Sequence, residues 1–184
     1  MQLTHQRPRF ESSLDALREE FREMHTVRLP GLLVTGLLEI VLARLDLGAW
    51  IDNDHVEGHE GIGREVILKD AVAFNLLHLV TNAPDVLGLI RDVTGCGSIT
   101  RFEGRTYRMV PGKDHYDSWH SDAMGSRLVG MSLNLGVRPR EGGAFQLRER
   151  EGTKVLREIR NPVAGDAVLF RISEDLVHQV RPLE

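Results

Sequence analysis

Apolar residues in the first half of the chain recur at helical spacing. Leu14, Leu17 and Phe21 lie three and four residues apart, directly after two serines that can cap a helix. The same spacing predicts three further helices, over 35–47 before Gly48, from Asp70 through Val80, and from Pro84 to about Val93. A short strand is predicted from His25 to Leu29, and residues 1–10 are predicted to form a loose tail.

Residues 50–65 interrupt this pattern because they are polar and rich in glycine. That composition predicts a long mobile loop, and we expect the stretch from Trp50 to Arg64 to act as a lid. His55 and His59 lie four residues apart within it, but the neighbouring glycines argue against a helix. We therefore expect a solvated loop here and no second metal site.

From Ser98 onward the pattern changes to short β-rich runs separated by glycine, proline and aspartate. A chain of 184 residues is the size of one domain with a sizeable core. We therefore predict one domain over 1–184, mainly β, in which a helical part (1–97, with the lid loop) buttresses a β core (98–184).

Composition narrows the function classes. The net charge of −4 offers no broad cationic face, so we expect no nucleic-acid partner. Cys96 is the single cysteine, which suits a reducing compartment. We find no signal-peptide pattern at the N-terminus, and the longest apolar stretch, 29–42, is too short and interrupted to span a bilayer. We expect a cytoplasmic protein without a membrane partner.

One motif carries metal chemistry. His120-Ser121-Asp122 places an imidazole and a carboxylate two residues apart, which on an extended strand point the same way. His178 can complete the set from a distant strand. Two imidazoles and one carboxylate are the ligands that hold a non-haem Fe(II) on one face, whereas Zn(II) and Mg(II) fit this set less well.

The setting of this motif resembles the Fe(II)- and 2-oxoglutarate-dependent oxygenases, specifically their prolyl-4-hydroxylase-like branch. The resemblance runs from about Arg101 to the end of the chain. Besides the triad, the segments that carry it are Met-Val-Pro-Gly-Lys (109–113), Arg-Leu-Val-Gly-Met-Ser-Leu-Asn (127–134), Gly-Gly-Ala-Phe-Gln-Leu (142–147), Ala-Gly-Asp-Ala-Val-Leu-Phe (164–170) and Val-His-Gln-Val-Arg-Pro (177–182).

This resemblance implies a double-stranded β-helix (jelly roll, cupin-like) with its metal near one open mouth. It implies Fe(II) as cofactor, 2-oxoglutarate and dioxygen as co-substrates, and succinate and CO2 as co-products; ascorbate is a further candidate cofactor. His120, Asp122 and His178 are the implied metal ligands and catalytic residues. Because Asp122 is present, hydroxylation of an aliphatic C–H bond is implied rather than halogenation. The substrate class is a small molecule, an amino acid or a peptide.

The residues that hold the co-substrate are less clearly marked. In this branch a cation about ten positions after the second histidine binds the distal carboxylate of 2-oxoglutarate, and that position would lie near 188, beyond Glu184. Either the cation lies outside this sequence or another serves. Arg127 is the leading candidate, with Arg108 and Arg148 as alternatives. Ser132 and Asn134 share one strand face and are expected to hydrogen-bond the co-substrate.

Two other classes of protein remain open. A cupin-like metalloenzyme that does not use 2-oxoglutarate is compatible with the missing C-terminal cation. A jelly-roll ligand-binding domain without catalysis is compatible with a vestigial triad. Iron-dependent formation of succinate separates the first from an oxygenase, and failure to bind Fe(II) favours the second. The aromatic pair Tyr116 and Trp119 fits either the lining of the mouth or packing of its rim.

Overall fold

The computed structural model describes residues 13–57, 60–69, 71–97, 99–138 and 141–184. The predicted tail over 1–10 lies outside these ranges, as do His59 and Asp70. The elements in chain order are α1 (Leu14–Met24), β1 (Thr26–Leu29), α2 (Thr35–Leu47), β2 (Trp50–Glu57), β3 (Glu60–Leu68), α3 (Ala71–Thr81), α4 (Pro84–Thr94), β4 (Tyr107–Arg108), β5 (Tyr116–His120), β6 (Val129–Leu133), β7 (Phe145–Glu149), β8 (Val155–Ile159), β9 (Ala167–Arg171) and β10 (Leu176–Val180).

The four helices lie where the hydrophobic spacing predicts them. Ser13 caps α1, since its hydroxyl accepts a hydrogen bond from the backbone N–H of Ala16 at 3.2 Å. Pro84 occupies the first turn of α4, where its missing N–H costs nothing. Gly48 follows α2 as predicted, but with an extended backbone (φ −78°) instead of the left-handed cap conformation.

The strands form two antiparallel sheets. The smaller has the order β1-β9-β6, and the larger has the order β2-β3-β5-β10-β7-β8, with β4 paired to β3. Helices therefore support a mainly β fold, which confirms the predicted class.

Strand β9 shows how the layers are arranged, because both of its faces are buried. Ala167 and Leu169 pack into a core shared with α1 and α4, whereas Val168 and Phe170 pack into a core with residues of β7, β8 and β10. A further core joins α2 to α3. The helices thus cover the outer face of the smaller sheet, and its inner face packs toward the larger one.

The prediction of a mobile loop over 50–65 is wrong. Strands β2 and β3 occupy this stretch and pair in register from Trp50↔Leu68 onward, and β3 also pairs with β5. The glycines reflect close packing: a Cβ at Gly63 would lie 3.2 Å from the carbonyl oxygen of Tyr116 and 3.3 Å from the Cβ of His55. Pairing with β5 from the second half of the chain overrides the local loop composition.

Among the described residues, none of the helices is by itself long and apolar enough to cross a bilayer. One pair, Val72–Thr81 with Pro84–Thr94, reaches the required length and composition together, but the two are bent by 53°.

Candidate metal centre and adjoining cleft

The larger sheet brings the two histidines of the predicted triad together. His120 is the last residue of β5, His178 is central in β10, and the two are direct cross-strand partners with ring centroids 4.3 Å apart. Asp122 lies two residues beyond β5, so it reaches the histidines from the loop and not from the strand itself. One ligand atom from each of the three residues lies within 4.8 Å of the others. The spacing of the set is therefore suited to one cation.

Hydrogen bonding fixes the orientation of the His120 ring. Its Nδ1 lies 2.7 Å from the carbonyl oxygen of Ser118, which can only accept, so Nδ1 carries the proton. Nε2, the other ring nitrogen, is then the atom available to a metal. The Ser118 hydroxyl in turn donates to the carbonyl oxygen of Ile62 in β3, at 2.9 Å. The hairpin formed by β2 and β3 thus supports Ser118, the residue that orients His120.

The environment of His178 keeps its imidazole neutral. The ring packs against Phe170 and Phe145, with centroids at 4.4 and 5.7 Å, and the residue is 7% exposed. Burial, together with the neighbouring His120, lowers the pKa of His178 to about 4, while Asp122 opposes the shift. A neutral imidazole is the form that binds metals, so no proton has to leave His178 at pH 7.

Asp122 lies between an imidazole and a guanidinium. Its Oδ2 is 3.8 Å from Nε2 of His178, and its Oδ1 is 3.6 Å from Nη1 of Arg127. One carboxylate oxygen therefore faces the other candidate ligands while the second is oriented by Arg127. This is the arrangement of a metal-binding carboxylate with an outer partner.

A second carboxylate lies behind His120. Asp117 Oδ1 is 3.5 Å from Nδ1 of His120. Burial raises the pKa of Asp117 to about 6, although the nearby His120 and Arg105 act in the opposite direction. Asp117 is therefore an outer partner of the site that the sequence pattern did not single out.

A cleft of about 250 Å³ opens beside two of the three candidate ligands. Its walls come from the hairpin, from the segment before β4 and from the loop after β5. The lining residues are His55, Val56, Ile62, Arg105, His120, Ser121, Asp122, Met124 and Arg127. The segment predicted as a lid thus borders the site as a paired hairpin.

Four residues form a polar chain along this hairpin wall. The Nε of Arg105 donates to Glu65 Oε1 at 2.7 Å, and Asn53 donates to the same oxygen at 3.4 Å. Arg105 Nη2 lies 3.1 Å from Nδ1 of His55, which accepts from it. The His55 ring is 5.7 Å from that of His120, edge to face. Sequence reasoning missed Glu65 and Arg105, because recognising an inward-facing Glu65 requires knowing that its segment is a strand.

The predicted co-substrate residues lie in two places. Arg127 lines the cleft beside Asp122. Asn134 is buried just beyond β6, where its Oδ1 accepts from the N–H of Gly136 in a turn, and Ser132 lies in β6 opposite Val168. Neither Ser132 nor Asn134 is among the cleft-lining residues in the described part of the chain.

The two alternative cations have other contacts. The Arg108 guanidinium stacks 3.9 Å from the centre of the Trp50 ring. Arg148 lies 4.6 Å over Trp119 and donates to backbone carbonyl oxygens of Glu149, Arg150 and Gly152. Trp119 thus packs against the Arg148 guanidinium, and it is not among the cleft-lining residues in the described part of the chain.

Two facing antiparallel sheets that carry a His-Asp-His cluster are the double-stranded β-helix that the family resemblance implies. No protein-family model matches the sequence, and a search of curated proteins found no significant similarity.

Solved structures agree with this class. The chain is similar to an oxidoreductase of the 2OG-Fe(II) oxygenase family from Burkholderia pseudomallei (TM-score 0.69, 19% identity, covering 95% of this chain and 86% of that one). It is also similar to a Pseudomonas putida prolyl-4-hydroxylase (TM-score 0.63, 21% identity, 92% and 91%). A third similar structure is the epimerase SnoN in complex with Fe3+, alpha ketoglutarate and nogalamycin RO (TM-score 0.60, 15% identity, 92% and 77%). The predicted double-stranded β-helix is confirmed.

Proposed function

We propose that this protein is an Fe(II)- and 2-oxoglutarate-dependent dioxygenase that hydroxylates an aliphatic C–H bond of a small molecule, an amino acid or a peptide. The observation that carries this proposal is the convergence of His120, Asp122 and His178 within 4.8 Å, in a fold shared with 2-oxoglutarate–Fe(II) oxygenases.

The three side chains fit Fe(II) in chemistry as well as in spacing. Two imidazoles and one carboxylate leave open coordination positions, as non-haem Fe(II) oxygenases require. The protonated Nδ1 of His120 and the neutral His178 leave both imidazoles ready to bind. When bound, iron with 2-oxoglutarate and dioxygen supplies the oxidation, releasing succinate and CO2 and placing one oxygen atom in the substrate.

The other residues orient the reactants and shield them from water. The rings of Phe145 and Phe170 cover His178 and keep water from that side of the centre. Arg127 orients Asp122, and we assign to it the distal carboxylate of 2-oxoglutarate as well, with Ser132 and Asn134 as hydrogen-bonding partners of the co-substrate. Ascorbate would serve as an external reductant. The substrate would enter through the cleft beside His120.

A turnover assay with metal-reconstituted protein tests the proposal. Protein loaded with Fe(II) is incubated with 2-oxoglutarate and a panel of amino acids and peptides, and both succinate and substrate mass are measured. We expect substrate-stimulated succinate and a mass gain of one oxygen atom. A product of unchanged mass would indicate another reaction, as epimerisation is for the similar SnoN.

The ligand variants supply the first mutational prediction. His120→Ala and Asp122→Ala should lower turnover at least about 100-fold, which exceeds the usual effect of losing an outer-shell partner. Both should stay folded, because residues at the mouth add little to the core. The exposed residues His78 and Asp46 offer matched controls, His78→Ala and Asp46→Ala, which should retain activity.

Two outcomes would contradict the assignment. Bound iron without succinate formation would indicate a metalloenzyme that does not use 2-oxoglutarate. Failure to bind Fe(II) at all would indicate a ligand-binding domain without catalysis.

A further inference from the structure

Arg105 is held rigidly at the wall of the cleft. Its Nε is bonded to Glu65, its Nη2 to His55, and its Cζ lies 5.4 Å from the centre of the Tyr107 ring. Even so, 43% of its side chain is exposed. A guanidinium fixed on one side and open on the other is suited to bind a ligand without further loss of side-chain entropy.

Glu65, which contacts Arg105 from β3, is a buried carboxylate inside a strand. The Glu65 side chain is only 4% exposed. Burial raises the pKa of Glu65, and Arg105 acts to lower it again. Because burying an ion pair contributes little net stability, such a pair is weak evidence of a purely structural role. Its geometric effect is to fix the Arg105 guanidinium at the wall of the cleft.

Arg105 retains N–H donors for a further ligand. A guanidinium has five N–H groups in a planar fork. Glu65 takes the one on Nε, and His55 takes one on Nη2. Within the described residues the guanidinium makes no other hydrogen bond, so one N–H on Nη2 and two on Nη1 remain. One N–H from each Nη nitrogen is thus available for the two oxygens of a carboxylate.

The other arginine of the cleft is differently placed. Arg127 lies 3.6 Å from Asp122, so its charge is directed at a candidate metal ligand. Arg105 instead lines the cleft beside His55, whose ring is 5.7 Å from that of His120. An anion bound at Arg105 would thus lie beside the reaction centre but not on it, within the length of a small molecule.

We propose that the substrate carries a carboxylate and that Arg105 binds it, with Glu65 and His55 as positioning residues. This inference rests on the proposed function only in treating the cleft as the substrate entrance. The ligand chemistry is a carboxylate beside the carbon to be oxidised. A free amino acid, another small carboxylic acid and a peptide C-terminus all provide it.

A calorimetric titration with matched probes tests this inference. The probes are the common L-amino acids, their N-acetyl derivatives and dipeptides with free C-termini, each paired with its carboxamide. They are titrated into the metal-free protein and into protein loaded with Mn(II) and 2-oxoglutarate. Mn(II) replaces Fe(II) so that binding is measured without turnover. We expect at least one carboxylate to bind about 10- to 100-fold more tightly than its amide, the range for a hydrogen-bonded charge.

Arg105→Met should bring this ratio close to one and leave the affinity for 2-oxoglutarate unchanged. Arg105→Lys keeps the charge but loses the planar fork, so we expect a reduced ratio. The exposed Arg160, which follows β8 at the opposite end of the sheet, supplies the control Arg160→Met with an unchanged ratio. Glu65→Gln should lower the ratio while binding of 2-oxoglutarate persists, a result that a merely structural role would not give.

Several results would overturn the inference. One is that no probe pair shows a preference for the carboxylate over the amide. Another is that the carboxylate-to-amide affinity ratio is unchanged in Arg105→Met. A third is that this ratio is lost in Arg127→Met but not in Arg105→Met. Weaker binding of 2-oxoglutarate in Arg105→Met would reassign this residue to the co-substrate. Failure of the protein to bind Mn(II) and 2-oxoglutarate would instead refute the proposed function. The metal-free titration would still report on Arg105.

Discussion

His25 ends α1 in a left-handed backbone conformation, with φ 59°. Glycine and asparagine adopt this conformation at helix ends more readily than other residues do. The imidazole is half-buried, and its Nδ1 has no hydrogen-bond partner within the described residues. Burial lowers the pKa of His25, and the nearby Arg171 lowers it further. The residue thus combines a strained backbone with an imidazole that resists protonation.

The substitution His25→Asn is therefore expected to stabilise the protein at low pH. Because the folded-state pKa lies below the ordinary value near 6.5, the unfolded chain takes up a proton first as the pH falls. The stability that neutral His25 contributes is fully present above the ordinary pKa of the unfolded chain. It is lost as the pH drops through the lower pKa of the folded state. The melting temperatures of wild type and His25→Asn, compared between pH 7.5 and 5, should diverge in favour of the variant. A constant difference would show that His25 is not a source of the pH dependence.

At the residue scale, the sequence motif singled out His120, Asp122 and His178, and the structure brings them together. Histidine and aspartate two residues apart are close by covalent geometry alone. Arg105 and Glu65 gave no such signal, since neither lies near a motif and their contact joins segments forty residues apart in the chain.

Among the elements, the pairing of β6 with β9 depends on one glycine, which leaves room for an aromatic ring of the neighbouring strand. Gly130 of β6 lies directly opposite Phe170 of β9. A Cβ at Gly130 would come within 2.1 Å of the Phe170 ring. Since that ring also packs at 4.4 Å against His178, the pairing of these two strands influences the candidate metal centre.

Gly130→Ala should destabilise the protein by about 1–3 kcal/mol, because the added methyl group overpacks a rigid core. Chemical denaturation measures the change in the free energy of unfolding. Displacement of the Phe170 ring should also weaken metal binding through His178. An unchanged unfolding free energy would show that the two strands can separate to admit the methyl group.

Gly88 in α4 is the matched control. Its ideal Cβ position has no heavy atom within 4 Å, and its backbone is helical. Gly88→Ala should therefore raise the free energy of unfolding by about 0.5–1 kcal/mol through helix propensity. Opposite signs for the two glycine substitutions would separate packing from propensity.

Helical elements were predictable from the chain because their apolar spacing is local, as Leu17 and Phe21 show by facing the core from one side of α1. The hairpin was not. Its strands are defined by pairing with each other and with β5, and a glycine such as Gly63 signals a turn as readily as a close strand contact.

At the scale of the whole molecule, Asp166 connects the N-terminal part to the β core. Its side chain is 4% exposed and accepts from the guanidinium of Arg28 in β1 and from the backbone N–H of Gly31, the latter at 2.7 Å. The neighbouring Gly165 has φ 92°, and a Cβ there would lie 2.9 Å from the Leu33 carbonyl oxygen. The Gly-Asp pair that marks the family resemblance thus has a structural role in this chain.

Asp166→Ala is expected to lower the free energy of unfolding by about 3 kcal/mol, since it leaves three N–H donors, two of Arg28 and one of Gly31, without their acceptor at a largely buried site. Equilibrium unfolding in urea measures the loss. The exposed ion pair of Arg101 and Glu103 provides the comparison, and Glu103→Ala should change stability by less than about 1 kcal/mol. Equal effects of the two substitutions would contradict the connecting role of Asp166.

Local residue patterns were enough to predict the helices, the β-rich part of the chain after residue 98 and the candidate metal ligands, because periodicity and short motifs act over a few residues. Tertiary structure alone decided that residues 50–68 form a hairpin and that Glu65 is buried beneath Arg105. These features depend on contacts between segments far apart in the chain. Burial and strand pairing are properties of the assembled sheets, so no local pattern of residue types specifies them.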